Sequence, residues 1–441
     1  MITSTGFFDL LIFSINRFIR NPERGFFFEY FMTTKTYKTY YTSQFYIGFI
    51  LLLSIFLISY LISNNNFSDA AIWLAASGLG FALQKSRFCF ASSFRDLFLF
   101  GSGQNMKGVI IAIIIASIGF VGILSWILPS PLPGEYPSSA HILPVGLSTI
   151  IAGTLFGIGM VTAGGCVSGT IYRIAEGYVA SVVTMIGIFI GSILLIISWD
   201  FWWDSLISKE SKIFLPSTFS LGYGFSLVIT LILLLGLYVL VIYIESRSGI
   251  TEFKINKKEK LTPKTFLEKI NENLVNIFSR SWSAKTGGVA IGFIGIIYFL
   301  FHSPPGVTGE IMKQSMSFSE SVNFSDGALK GISSLSGCLG ASVGQGLISH
   351  TFVSTVGVFY GALVSALMAK EFKIRTPNNY KRYIQSLGGG IMMGFSASLG
   401  IGCTIGAFFS AISSLSLSGW VFGISLFGGA FIGTKIIKAI G

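Results

Sequence analysis

Charge is scarce in this chain. Asp, Glu, Lys and Arg make up only 11% of its 441 residues, against about 25% in a soluble domain. Hydrophobic residues reach 52% and the mean hydropathy is +0.73. Such a composition excludes a soluble globular protein and places the chain in a lipid bilayer. Histidine is equally sparse. The three present, His141, His302 and His350, are scattered, and the four cysteines form no CxxC and no Cys/His cluster. A metal centre is therefore not expected, and no ligand pattern for haem, flavin or an iron–sulfur cluster appears, so no cofactor is expected either. Each cysteine is embedded in apolar Gly/Ser-rich sequence rather than in a polar loop, which excludes a disulfide framework. No compact basic segment leads into an apolar core and a small-residue cleavage site, so a cleaved signal peptide is not expected. The net charge of +11 invites a nucleic-acid partner. The charges lie between apolar runs, however, where membrane orientation demands them, so no nucleic acid is expected.

What the chain does have is glycine, 52 residues of it, and long apolar runs. Ten runs approach the ~20 residues needed to cross a bilayer. They fall near 45–62, 69–86, 108–128, 146–165, 178–198, 217–245, 286–302, 351–369, 383–402 and 418–438. Four shorter apolar pieces, near 88–100, 166–177, 330–349 and 404–416, are too short to span. Broken backbone at membrane depth must be buried in protein or line a cavity, so these pieces are expected to be re-entrant half-helices. The expected fold is all-α: a polytopic membrane protein of about ten transmembrane helices with about four short re-entrant helices in an inverted repeat. The segments 1–44, 85–107, 246–285 and 370–382 hold 5, 4, 9 and 5 lysines and arginines, 23 of the 30. The positive-inside bias makes them cytoplasmic, with both termini inside and the protein multi-pass in the cell (inner) membrane. The expected organisation is an N-terminal cytoplasmic or interfacial extension (1–44), an extra transmembrane helix (45–68), a first transport repeat (69–200), a connecting helix and basic cytoplasmic loop (201–285), and a second, inverted repeat (286–441). Residues 6–31 and 251–285 both carry amphipathic patterns suited to a membrane surface.

The repeat announces itself through cysteine. Cys166 in Gly164-Gly165-Cys166-Val167-Ser168-Gly169 and Cys403 in Gly400-Ile401-Gly402-Cys403-Thr404-Ile405-Gly406 are 237 positions apart. The same offset pairs Gly153 with Gly390, Gly157 with Gly394, Gly169 with Gly406, Ser181 with Ser418 and Gly191 with Gly428. Threading these stretches through the topology brings Cys166 and Cys89 in from the cytoplasmic side, and Cys403 and Cys338 from the exterior. The span 69–86 is matched to 286–302, with an inserted external loop. One buried cysteine is ordinarily a small packing residue. Four at helix breaks of an antiparallel repeat mark a site near the midplane. Half-helix N-termini bring unsatisfied N–H groups and a positive dipole end, which favour an anion, and a thiol adds a soft donor and acceptor. Arg87 and Arg95 flank Cys89, Arg173 follows Cys166, and Lys330 is the basic residue nearest Cys338, so these four are candidates for attracting an anion. Against that stand an Arg173–Glu176 i,i+3 ion pair and plain orientation charge.

At these residues the chain resembles the YeeE/YedE sulphur-transport family. The resemblance rests on Arg87-Phe88-Cys89-Phe90-Ala91 with Phe94-Arg95-Asp96, on Gly153-Thr154-Leu155-Phe156-Gly157 with Ala163 to Thr170, and on Gly388-Gly389-Gly390 through Gly402-Cys403. It covers roughly residues 69–200 and 286–441. The resemblance implies an hourglass-like membrane transporter, not an enzyme. It implies that Cys89, Cys166 and Cys403, with Cys338 in a less similar motif, pass a small sulfur-containing anion, thiosulfate first, by S–H hydrogen bonds. A soluble cytosolic sulfur-carrier protein is an implied partner. The stretch Thr170-Ile171-Tyr172-Arg173-Ile174 and the N-terminal extension depart from the family pattern, which leaves selenium-related and other sulfur compounds open as substrates. Two readings of other classes compete: a thiol-based membrane sulfurtransferase centred on Cys89, and a channel for neutral solutes indifferent to its cysteines.

Overall fold

The structure is a computed structural model and describes residues 34–64, 66–218, 222–248, 281–323, 329–332, 335 and 349–440. The amphipathic segments 6–31 and 251–280, most of the piece 330–349, and Cys338 lie outside the described residues. Within them the chain is helical throughout, with one two-residue strand pair, Pro144–Val145 against Ser211–Lys212.

Every predicted span appears as a long helix: α1 (Thr34–Ser63), α2 (Phe67–Lys85), α4 (Gln104–Ile127), α5 (Leu147–Ala163), α7 (Val179–Ile197), α10 (Gly222–Arg247), α11 (Ala284–Phe301), α13 (His350–Met368), α14 (Tyr380–Leu399) and α16 (Leu417–Ile440). Among the described residues, 8 helical stretches are long and apolar enough to cross a bilayer. The count is 9 if α14 and the helix Thr404–Ser413, bent 48° from it, form one span. α2 is the long helix outside that set, with Asp69 in its first turn and Lys85 in its last. Polar side chains start several of these helices by accepting an early backbone N–H: Asn66 for α2, Ser283 for α11, Ser349 for α13 and Asn379 for α14. The outer wall is apolar, as α10 shows by exposing Ile232, Leu235 and Val239.

Three of the four short pieces are described. They are α3 (Phe90–Phe100), α6 (Val167–Ala175), and a π-helix, Thr404–Ser410, that continues into α15 (Ala411–Ser413). The segment between α11 and α13 carries α12 (Thr308–Ser321).

Packing partners exchange between the halves. α5 lies against α16 and α7 against α14, while α2 lies against α13 and α4 against α11. A two-fold that turns α5 into α14 and α7 into α16 interchanges the first two pairs. One that turns α2 into α11 and α4 into α13 interchanges the other two. Backbones meet at glycine, as small-residue packing in membranes requires. A Cβ on Gly394 would fall inside the Ile188 carbonyl, and one on Gly80 inside the Val358 carbonyl.

Candidate substrate path

The three described cysteines share one local geometry. Each is the extended N-cap residue of a short helix: Cys89 of α3, Cys166 of α6, Cys403 of the π-helix. Each stands two residues after a residue in the left-handed region: Arg87 (φ 49°), Gly164 (φ 83°) and Ile401 (φ 54°). That residue ends the preceding long helix. At α2, Phe88 N–H donates to the Leu83 carbonyl (2.9 Å) and Arg87 N–H to Gln84 (3.0 Å). At α14, Gly402 N–H donates to Ala397 (2.8 Å) and Ile401 N–H to Ser398 (3.3 Å). Both are Schellman ends, which satisfy the last carbonyls and turn the chain sharply. One spacer residue then carries the backbone to the cysteine and a new helix. The break, the glycine-rich sequence and the thiol are thus one device used three times.

All three thiols are buried, at 1% exposure for Cys89 and 0% for Cys166 and Cys403, and none is in a disulfide. Cys89 and Cys166 converge. A Cβ built on Gly169 would stand 2.9 Å from the Cys89 Sγ and 3.4 Å from the Cys166 Sγ, so both sulfurs overhang this glycine. The two thiols are hydrogen-bond neighbours. Cys166 Sγ also accepts the Gly169 N–H (3.4 Å) and lies 3.3 Å from the Ser168 hydroxyl. Cys403 heads the remaining short helix, and among the described residues its thiol makes no hydrogen bond. The helices of Cys89 and Cys403 are joined by aromatic packing, Phe408 meeting Phe90 and Phe94 edge-to-face at 6.4 and 6.1 Å. Beside Cys403 the Thr404 hydroxyl is fully buried and has no hydrogen-bond partner among the described residues.

A scan against protein-family profiles matches the sulphur transport family over residues 85–432. The chain belongs to that family. Among its relatives, the thiosulfate transporter TsuA of Escherichia coli K12 is 24% identical over 347 residues, covering 78% of this chain and 87% of that protein. TsuA of Spirochaeta thermophila is 28% identical over 354 residues, covering 78% and 91%. The probable transporter YedE of Salmonella typhimurium is 33% identical over 181 residues, covering 40% and 42%. The family and its relatives are transporters, not enzymes. This sulphur-transport family member is accordingly a multi-pass membrane transporter.

Its four candidate cations do different things. Arg87 points to the surface and pairs with Glu371 (2.8 Å), whose carboxylate keeps the guanidinium pKa raised. Lys330 is exposed and pairs with Asp204 (3.1 Å) and Asp200 (3.5 Å), so its charge is locally neutralised. Arg95 pairs with its neighbour Asp96 (2.8 Å). Arg173 does not bind Glu176 as an i,i+3 pair. It turns back and donates to the Gly164 carbonyl, directly beneath the Cys166 break. Glu176 instead accepts from Gln84 (3.0 Å), which also donates to Glu371 (2.9 Å).

One residue here carries no local sequence signal. Arg382, in the first turn of α14, reaches the same spot as Arg173. Its guanidinium donates to the carbonyls of Thr162 (3.0 Å) and Ala163. The cytoplasmic assignment of 370–382 could place it on the right face, but only the fold brings it under Cys166.

Proposed function

We propose that this chain carries a small sulfur-containing anion, thiosulfate first, inward across the cell membrane, handing it between buried cysteine thiols. The observation that supports this most is the shared device: a left-handed residue, a spacer, then a cysteine at the head of a short helix, at three breaks of an antiparallel repeat. At each break the first backbone N–H groups of the helix and the positive end of its dipole favour negative charge. The thiol adds a polarisable group suited to the terminal sulfur of thiosulfate, which hydrogen-bonds more weakly than oxygen. Cys89 and Cys166, as neighbours, form two successive stations. Cys403, the repeat partner of Cys166, serves the opposite half together with Cys338.

The relay involves no covalent step, because each S–H donates to the passing anion and is released unchanged. The basic face holding Arg87, Arg95, Arg173 and Arg382 is the cytoplasmic one, with both termini on it and a soluble sulfur-carrier protein receiving the cargo there. The names of the TsuA relatives support thiosulfate as the first substrate to try. The test is growth. A host stripped of its own sulfur importers and supplied only with thiosulfate should grow when this chain is expressed, and a chain that reaches the membrane but supports no growth overturns the substrate.

A further inference from the structure

Two arginines from separate helices meet at the end of α5, on the basic face of the protein. Arg173 comes from α6 and Arg382 from the first turn of α14. Gly164 marks their meeting point. It is the left-handed residue that ends α5, and a Cβ there would collide with the Arg382 Nη2 and stand 3.7 Å from the Arg173 Nη1. Among the described residues Arg382 pairs with no carboxylate. Its donors go to the Thr162 and Ala163 carbonyls and to the Gln385 side chain (3.3 Å).

Capping the last carbonyls of a helix needs one cation at most. Two guanidiniums on three consecutive carbonyls, neither in an ion pair among the described residues, leave more positive charge than the helix end requires. Like charges held together raise each other's energy, and an anion bound between them relieves it. Guanidiniums present planar N–H forks that match tetrahedral oxyanions in two-point contacts. The cluster also lies on the path. Arg173 sits 3.5 Å from the position of a Gly165 Cβ, next to Cys166, and its charge reaches Cys89.

We propose that Arg382 and Arg173 form a binding site for a divalent tetrahedral sulfur oxyanion at the basic mouth of the path, one step beyond the Cys89–Cys166 pair. The site rests on the transport reading for its place in a sequence, but its existence does not. An arriving oxyanion takes over N–H groups of Arg382 from the Thr162 and Ala163 carbonyls and holds there by charge and oxygen contacts alone. It therefore discriminates for charge and shape, whereas the thiols discriminate for soft sulfur.

Sulfate, which has the charge and shape but no terminal sulfur, separates the two. The purified full chain, reconstituted in nanodiscs of zwitterionic phosphatidylcholine, is titrated with radiolabelled sulfate. Wild type should bind it. Arg382→Gln should weaken binding about tenfold, the value of losing charge-assisted hydrogen bonds, and Arg382→Lys should weaken it less. Arg173→Gln, which leaves the Arg382 contacts intact, should also weaken it, and this decides the matter if Arg382→Gln fails to fold. Adding anionic phosphatidylglycerol should leave sulfate binding unchanged. The proposal is overturned if wild type binds no sulfate, if Arg173→Gln and Arg382→Gln bind as wild type does, or if phosphatidylglycerol displaces sulfate and so identifies a lipid headgroup as the occupant. Thiosulfate uptake measured beside it keeps the two readings apart. Arg382-dependent sulfate binding without uptake removes the transport reading and leaves the site, while uptake without sulfate binding removes only the site.

Discussion

Thr404 is one of the buried residues whose hydroxyl finds no partner among the described residues. It stands next to Cys403, and a buried, unsatisfied hydroxyl costs about 1–3 kcal/mol. Natural proteins keep such groups where a ligand satisfies them. Thr404→Val keeps the shape and removes the hydroxyl. The expected outcome is a melting temperature equal to or a few degrees above wild type, together with slower thiosulfate uptake. A variant that melts lower and transports normally would assign Thr404 to structure. The cysteines themselves were legible in the sequence, because Cys and Gly recur at a fixed offset and apolar runs break beside them. The left-handed residues were legible only at Gly164. Arg87 and Ile401 take the same conformation with side chains that give no local sign of it, since the turn is imposed by the Schellman ends of α2 and α14. Arg382 was missed for a related reason. In sequence it is one of several orientation charges in 370–382, and its meeting with Gly164 spans 218 positions.

At the level of elements, the short helices are held in place by long ones that touch backbone to backbone. α7 and α14 are one such case, with Gly394 against the Ile188 carbonyl and Gly191 against that of Ile391. Glycine at 390 and 394 was visible as a repeat partner of 153 and 157, but which helix it meets was not, because packing partners cross between halves. Gly394→Val should force these helices apart, and overpacking of this kind costs about 1–3 kcal/mol or more. We expect a lower melting temperature and lost monodispersity in detergent. An unchanged melting temperature would mean that α7 and α14 separate easily. The third short element differs from the other two in being a π-helix, a rare form concentrated at functional sites. Its partner in the first repeat, α6, is an ordinary α-helix, so the repeat is not copied faithfully where Cys403 and Thr404 stand.

At the scale of the whole molecule, long-range contacts gather the described loops into two groups. In one, Arg87 meets Glu371 and Gln84 bridges Glu176 to Glu371. In the other, His350 binds Asp69 and stacks near His302, with ring centroids 4.8 Å apart. Burial and the neighbouring His350 push the His302 pKa down from 6.5 to about 4. A base whose folded pKa lies below its unfolded one binds fewer protons folded than unfolded. Its contribution to stability is thus fully present above pH 6.5 and is lost as the pH falls toward 4. The melting temperature of wild type should drop over that window more than that of His302→Phe, and parallel curves would contradict the assignment. Beside Ile401, between Leu143, Ser148 and Phe422, there is a cavity of about 10 Å³, room for about one water molecule.

The central claim is that these buried thiols carry the anion. It is tested most directly by uptake of radiolabelled thiosulfate into proteoliposomes holding wild type or one of Cys89→Ala, Cys166→Ala and Cys403→Ala at matched protein content. Each substitution removes a hydrogen bond to a charged substrate, so each should cut uptake about tenfold or more while the protein stays folded. Uptake at the wild-type rate in all three variants would contradict the account.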